Sequence, residues 1–221
     1  MSERTRAPDD ESTADPLEEE PEAAADGEVT PDGLEGIPDW DDEYVDRVSD
    51  RLMHNYDLEK NFAVEGERFT LYGTMELVSQ KHFLHPALSL AQHESTEHVF
   101  VRRVDAVDDR MLDRFVDLGE RLAEEWIEPD EEHFCTEFTF VAVAPTIPEP
   151  VRDRVTGFDG RTLLKLGYNG HYEINLIVVA PEAEDIVASE NADVATAFRL
   201  WDPIENDEPG WLGLLSRRLQ L

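Results

Sequence analysis

The chain has 221 residues, 52 acidic against 19 basic, for a formal net charge of −33 at pH 7, and its only lysines are Lys60, Lys81 and Lys165. Self-repulsion of that size destabilises a compact chain where the Debye length is ~10 Å but fades in molar salt, where it is ~3 Å, so the composition points to an extreme halophile. It argues against a nucleic-acid partner, because no Lys/Arg cluster replaces the counterions of a phosphate backbone.

Residues 1–38 carry 13 acidic and 2 basic residues, several prolines and few large apolar side chains. Nothing there offsets the entropy of ordering, so a disordered acidic tail is expected. MSERTRAPDDESTADPLEEE lacks the apolar segment of a signal peptide. No run reaches the ~18 apolar residues that cross a bilayer, so the expected setting is soluble and cytoplasmic. A single domain is expected over 39–221, long enough to bury a core without disulfides.

Order begins at DWDDEYVDRVSDRLMHNYDLEKN, where Tyr44, Val48, Leu52 and Tyr56 recur at helical spacing and Asp41 or Asp42 is available as a cap. ERFTLYGTMELVS then alternates, with Phe69, Leu71, Met75 and Leu77 on one face; HFLHPALSLAQ and EHVFVRRV follow as shorter strands. Together they predict a three-strand antiparallel meander. From Asp108 to Glu128 the period returns to helical, on a stripe of Met111, Phe115, Leu118, Leu122 and Trp126. HFCTEFTFVAVAPTI ends apolar on both faces, as a central strand does, and buries Cys135, the only cysteine. A short helix at PEPVRDRVTGF leads to LLKLGYNGHYEINLIVVAP, and two more helices are expected at DVATAFRLWD and GWLGLLSRRLQL. The sum is an α/β or α+β fold, a mixed sheet of five to six strands with helices packed on it.

In LLKLGYNGHYEINLIVVAP the Asn169-Gly170 pair between apolar runs signals a hairpin. A three-residue loop, Tyr168 to Gly170 with Gly170 left-handed, sets Leu164, Leu166, Tyr172, Ile174 and Leu176 on the core face and Lys165 across from Glu173 on the other. Lys165, His171 and Glu173 then have a structural explanation as a cross-strand charged set. The functional alternative is a metal site: Glu76, His85, His98, Glu137, His171 and Glu173 are imidazoles and carboxylates on the less apolar strand faces, the donor types that suit zinc, manganese or iron. The expectation is nonetheless no cofactor. A catalytic set is not legible: there is no Gly-x-Ser-x-Gly and no glycine-rich phosphate loop.

Helix, three strands, helix, strand is also the core order of the PD-(D/E)xK, restriction-endonuclease-like nucleases. Their chemistry needs an acid two residues before a lysine, and here those positions hold Leu58, Ser79 and Leu163. The C-terminal GWLGLLSRRLQL joins apolar residues to Arg217-Arg218 and is a candidate for a protein partner or self-association.

At YVDRVSDRLMHNYDLEKN, GERFTLYG, KHFLHPALSLAQHESTEHVFVRRVD and LLKLGYNGHYEINLIVVAP the chain resembles a family of haloarchaeal proteins known only as a domain of unknown function, with more distant relatives in methanogens and Gram-positive bacteria. The resemblance covers roughly residues 40 to 200. It implies a single α/β domain in a halophile and brings no activity or catalytic residue. The leading functional expectation is a non-enzymatic binding or regulatory module; the alternative is a metal-dependent enzyme on a restriction-endonuclease-like scaffold.

Overall fold

The computed structural model describes residues 39–80, 92–130 and 133–202. The acidic tail, nearly all of HFLHPALSLAQ and the segment GWLGLLSRRLQL lie outside the described residues. Helix α1 (Glu43–Leu52) starts at Asp42, whose carboxylate accepts from the backbone N–H of Tyr44 and Val45, and it buries Val45, Val48, Ser49 and Leu52. It is shorter than its periodicity predicts. Tyr56 follows the last turn, and Asp57–Val64, the first part of which is expected to belong to the helix, forms strand β1.

The N-terminal meander is therefore built from β1, β2 (Glu67–Gln80) and β3 (Gln92–Arg103), one strand earlier in the chain than the sequence pattern suggests. Both β1 and β2 change face part-way. Asn61 adopts φ 57°, and across it Leu58 and Leu71 pack on one side of the sheet while Phe62 and Phe69 pack on the other. Polar Lys60-Asn61 at that switch masks the alternation of β1 in the sequence.

From β3 the chain crosses through α2 (Asp109–Trp126) into β4 (His133–Val143), parallel to β3, then through α3 (Glu149–Thr156) and the short β5 (Arg161–Leu163) into β6 (His171–Ala180), parallel to β4. β7 (Asp185–Ala188) pairs antiparallel with the far end of β6, giving seven strands in the order β1-β2-β3-β4-β6-β5, with β7 also on β6. The predicted helix near DVATAFRLWD is a 3-10 segment, Asp193–Phe198.

Both faces of the sheet are covered. Under α2 and α3 lie Phe100, Phe138, Phe140, Leu176 and Val178 with Met111, Leu112, Phe115, Leu118 and Leu122. Under α1 and the 3-10 segment lie Leu71, Val99, Val101, Val141, Ile177 and Val179 with Val45, Val48, Leu52 and Phe198. At ~1.5–3 kcal/mol for each fully buried large side chain, these two layers carry the stability of the fold. Because β4 and β6 are buried on both faces, the face that carries Glu137 and Glu173 is an interior, not a rim.

The hairpin register differs from the predicted one. β5 pairs Arg161 with Glu173, Thr162 with Tyr172 and Leu163 with His171, so arginine rather than Lys165 stands across from Glu173. Residues 164–170 form a longer loop in which Leu166 is 91 % exposed instead of joining the core. Gly170 does take the left-handed conformation, at φ 72°, and Tyr172, Ile174 and Leu176 pack toward α2 as expected.

Candidate functional site

Three adjacent strands carry a glutamate at the same level of the sheet. Glu97 of β3 is in register with Glu137 of β4, and Glu137 with Glu173 of β6. Neighbouring strands lie ~4.8 Å apart, so the carboxylates form a row across the middle of the sheet, and all are buried. Each has its own donors. The Tyr56 hydroxyl donates to Glu97 Oε2 at 2.5 Å, Asn175 Nδ2 donates to Glu137 Oε2 at 3.3 Å, and the Cys135 thiol lies 4.0 Å from Glu137 Oε1. On Glu173 Oε1 converge His171 Nε2 at 3.3 Å and Arg161 Nη1 at 3.6 Å. Ser189 Oγ extends the set by donating to Asn175 Oδ1 at 3.3 Å. Burial, and after it the Glu97 carboxylate, pushes the Tyr56 hydroxyl far above the ordinary tyrosine range, so Tyr56 acts as a neutral donor.

Of the six sequence candidates, Glu137, His171 and Glu173 come together in this row. Glu76 does not: it is exposed and borders a shallow depression of about 380 Å³ with His54, Tyr56 and Asp57. His98 lies on the opposite face, stacked on Phe138 with ring centroids 5.2 Å apart and edge-on to Trp126, its Nδ1 2.8 Å from the Tyr72 hydroxyl. Burial alone pushes its pKa down to about 4, so the ring is neutral. His85 lies outside the described residues. Among the described residues no three His, Cys, Asp or Glu side chains are placed to hold a metal ion. The carboxylates of the row engage Tyr56, Asn175, His171 and Arg161.

Glu97, Tyr56, Ser189 and Arg161 belong to this network and were not among the sequence candidates. A signal for Glu97 is present in the chain. The three strands share one pattern, a glutamate opening an alternating apolar run: EHVFV at 97, EFTFV at 137 and EINLI at 173. The repeat marks one level on three parallel strands.

A second feature stands at the sheet edge. Among the described residues the large apolar side chains that are exposed are Leu163, Leu166 and Tyr168, at 57 %, 91 % and 87 %. They sit together on β5 and the loop after it, whose backbone is held away from relaxed geometry by positive φ at Lys165 (44°) and Leu166 (61°). The loop is tied down at its base. His133 Nδ1 donates to the Asn169 carbonyl at 2.8 Å, and its Nε2 lies 2.9 Å from Thr136 Oγ1. Lys165 Nζ donates to the Pro129 carbonyl at 3.4 Å.

The profile of a domain of unknown function, DUF8052, matches residues 41–200. The chain belongs to that family. No curated protein matches, and no solved structure matches. The DUF8052 domain opens just before α1 and closes just past the 3-10 segment, so it takes in both the glutamate row and the exposed loop. No helix among the described residues is long and apolar enough to cross a membrane.

Proposed function

We propose that this DUF8052 domain is a non-enzymatic protein-binding module, and that its recognition element is the Leu163–Tyr168 loop. The observation that carries the reading is the exposure of Leu163, Leu166 and Tyr168 on a strained but anchored loop. Solvent-exposed aliphatic and aromatic side chains held together on a fixed backbone cost solubility, and such patches mark interaction sites. Strain of this kind collects at ligand clamps. The glutamate row takes a structural part in this reading: Tyr56, Asn175, His171 and Arg161 hold its carboxylates inside the sheet.

The test is capture from cell extract in molar KCl, with the full chain as bait. Leu166→Ser with Tyr168→Ser is expected to lose the captured protein while leaving Tm within about 2 °C, since surface changes away from packed features stay within ~0.5 kcal/mol. Glu120→Ser, on the outer face of α2, is the control and retains it. Equal capture by the loop variant and the control would end the reading.

The setting we infer is the salt-rich cytoplasm of a halophile, on the support of the −33 charge and the near-absence of lysine. Between 0.1 M and 3 M KCl, Tm by circular dichroism is then expected to rise by roughly 10 °C, a gain of ~3–5 kcal/mol as the repulsion is screened. A Tm that stays level or falls would contradict it.

A further inference from the structure

Among the described residues the exposed large apolar side chains gather on β5 and the loop after it, and exposed acids border them. Lys165 Nζ reaches the Pro129 carbonyl at 3.4 Å, which sets Glu128 and Asp130 beside the loop, and Asp159 lies two residues before Arg161. The cations of the edge are already engaged, Lys165 at that carbonyl and Arg161 at Glu173 Oε1, 3.6 Å away. An apolar patch rimmed by carboxylates favours an apolar segment that carries cations and disfavours an acidic one. The chain itself supplies such a segment. Residues 210–221, GWLGLLSRRLQL, join Trp211, Leu212, Leu214 and Leu215 to Arg217 and Arg218 and contain no acid, in a chain where acids outnumber bases 52 to 19.

The described residues also end within reach of the loop. Arg51, in the last turn of α1, donates to the Arg199 carbonyl at 3.0 Å and to the Asp202 carbonyl at 3.4 Å, which places residue 202 beside the end of that helix. Just past the helix, Tyr56 hydrogen-bonds Glu97, and from Glu97 the glutamate row runs through Glu137 and Glu173 to Arg161 of β5. Three strand spacings of ~4.8 Å make that crossing ~14 Å. At ~3.3 Å per extended residue, the stretch from Pro203 to Trp211 spans up to ~30 Å, and that from Pro203 to Arg218 up to ~50 Å.

We propose that residues 210–221 of the same chain dock on the Leu163–Tyr168 loop, their apolar side chains against Leu166 and Tyr168 and Arg217-Arg218 toward Glu128, Asp130 and Asp159, and that they compete there with the partner. This rests on the binding reading above and adds its regulation: the recognition loop is covered by its own chain until the partner displaces it. A short tether makes the contact intramolecular, at an effective concentration in the millimolar range, so a contact too weak to form between separate molecules still occupies the loop. A segment that covers the loop about three-quarters of the time lowers the partner's apparent affinity about fourfold.

The experiment uses the full chain with Tyr168 replaced by p-benzoylphenylalanine, which keeps an aromatic ring there, in three backgrounds: otherwise unchanged, Trp211→Ser with Leu215→Ser, and Arg217→Glu with Arg218→Glu. Irradiated as purified protein in molar KCl, the unchanged background should give an internal cross-link to residues 211–221 whose yield holds on about tenfold dilution. The apolar variant should lose that cross-link by at least about fivefold and the charge-reversed variant by about threefold. Irradiated in extract, both variants should raise the adduct with the outside partner by about threefold. A cross-link to another segment, none at all, or one between two copies that falls on dilution overturns the docking. An internal cross-link beside an extract adduct that neither variant changes overturns the competition and leaves the binding reading standing. An internal cross-link with no extract adduct in any background removes the binding reading, and the competition with it.

Discussion

Gly170→Ala is expected to be the most damaging single-methyl change in the domain, lowering stability by ~3–5 kcal/mol and Tm by roughly 10 °C. Gly170 has φ 72°, and a Cβ there would lie 2.1 Å from the Phe134 carbonyl oxygen and 2.7 Å from its carbon. Two effects add. A left-handed alanine costs ~1–2 kcal/mol. The clash is with backbone at the start of β4, which cannot swing aside as a side chain does, so the loop base or the strand must move and the His133–Asn169 contact goes with it. Gly167 separates the two effects. It has φ 88° and nothing within 4 Å of its added Cβ, so Gly167→Ala keeps only the strain, ~1–2 kcal/mol. Thermal unfolding of the two variants side by side decides the matter: equal losses would mean that the loop is not seated against β4.

The second large effect is on pH dependence. His98 is held neutral, its pKa pushed down from 6.5 to about 4 by burial among Tyr72, Phe100, Trp126 and Phe138. The folded state resists protonating it, whereas the unfolded chain takes a proton near pH 6.5. Its contribution is therefore fully present above pH 6.5 and is lost as the pH falls through about 4, by ~2–3 kcal/mol in all. Many carboxylates titrate over the lower part of that range, so the informative quantity is the difference from His98→Phe, which keeps a ring in the stack. Urea unfolding at pH 7 and pH 4 should show a wild-type loss larger than that of His98→Phe by ~2 kcal/mol. Parallel losses would place His98 in contact with water.

Much of this architecture is legible in the chain. The stripe from Met111 to Trp126 gives α2 nearly to the residue, and HFCTEFTFVAVA gives the central strand, because burial on one face or on two leaves a pattern that local sequence carries. β1 is not legible, since Tyr56 continues the helical spacing of α1 while Asn61 interrupts the strand alternation with a left-handed residue. β5 and the loop escape for a different reason. Hairpin rules assume that apolar side chains near a turn seek the core, and Leu166 and Tyr168 do the opposite. The departure from the rule is what the proposed binding role rests on, since natural chains break local consistency at functional sites.

The glutamate row shows the reverse case. His171 and Glu173 are legible as sharing a face, and Glu137 as one of six candidates on the less apolar strand faces, yet their meaning depends on what covers those faces. A polar face on an open sheet is a site or a solvated surface; the same face under α1 is an interior that must satisfy its own polar groups. Register adds the rest, because only the parallel pairing of β3, β4 and β6 brings Glu97 level with Glu137 and Glu173.

Which of the two features carries function is decided by comparing two variants on one scale. Leu166→Ser with Tyr168→Ser changes the loop; Glu137→Gln changes the centre of the row at constant size. With photo-adduct yield in molar KCl as the readout, from p-benzoylphenylalanine placed at residue 163 so that both variants carry the same probe, the loop variant should lose at least about tenfold. Glu137→Gln should stay within about twofold. A folded Glu137→Gln protein that loses its partner, beside a loop variant that keeps it, would put the function in the sheet interior and contradict the account.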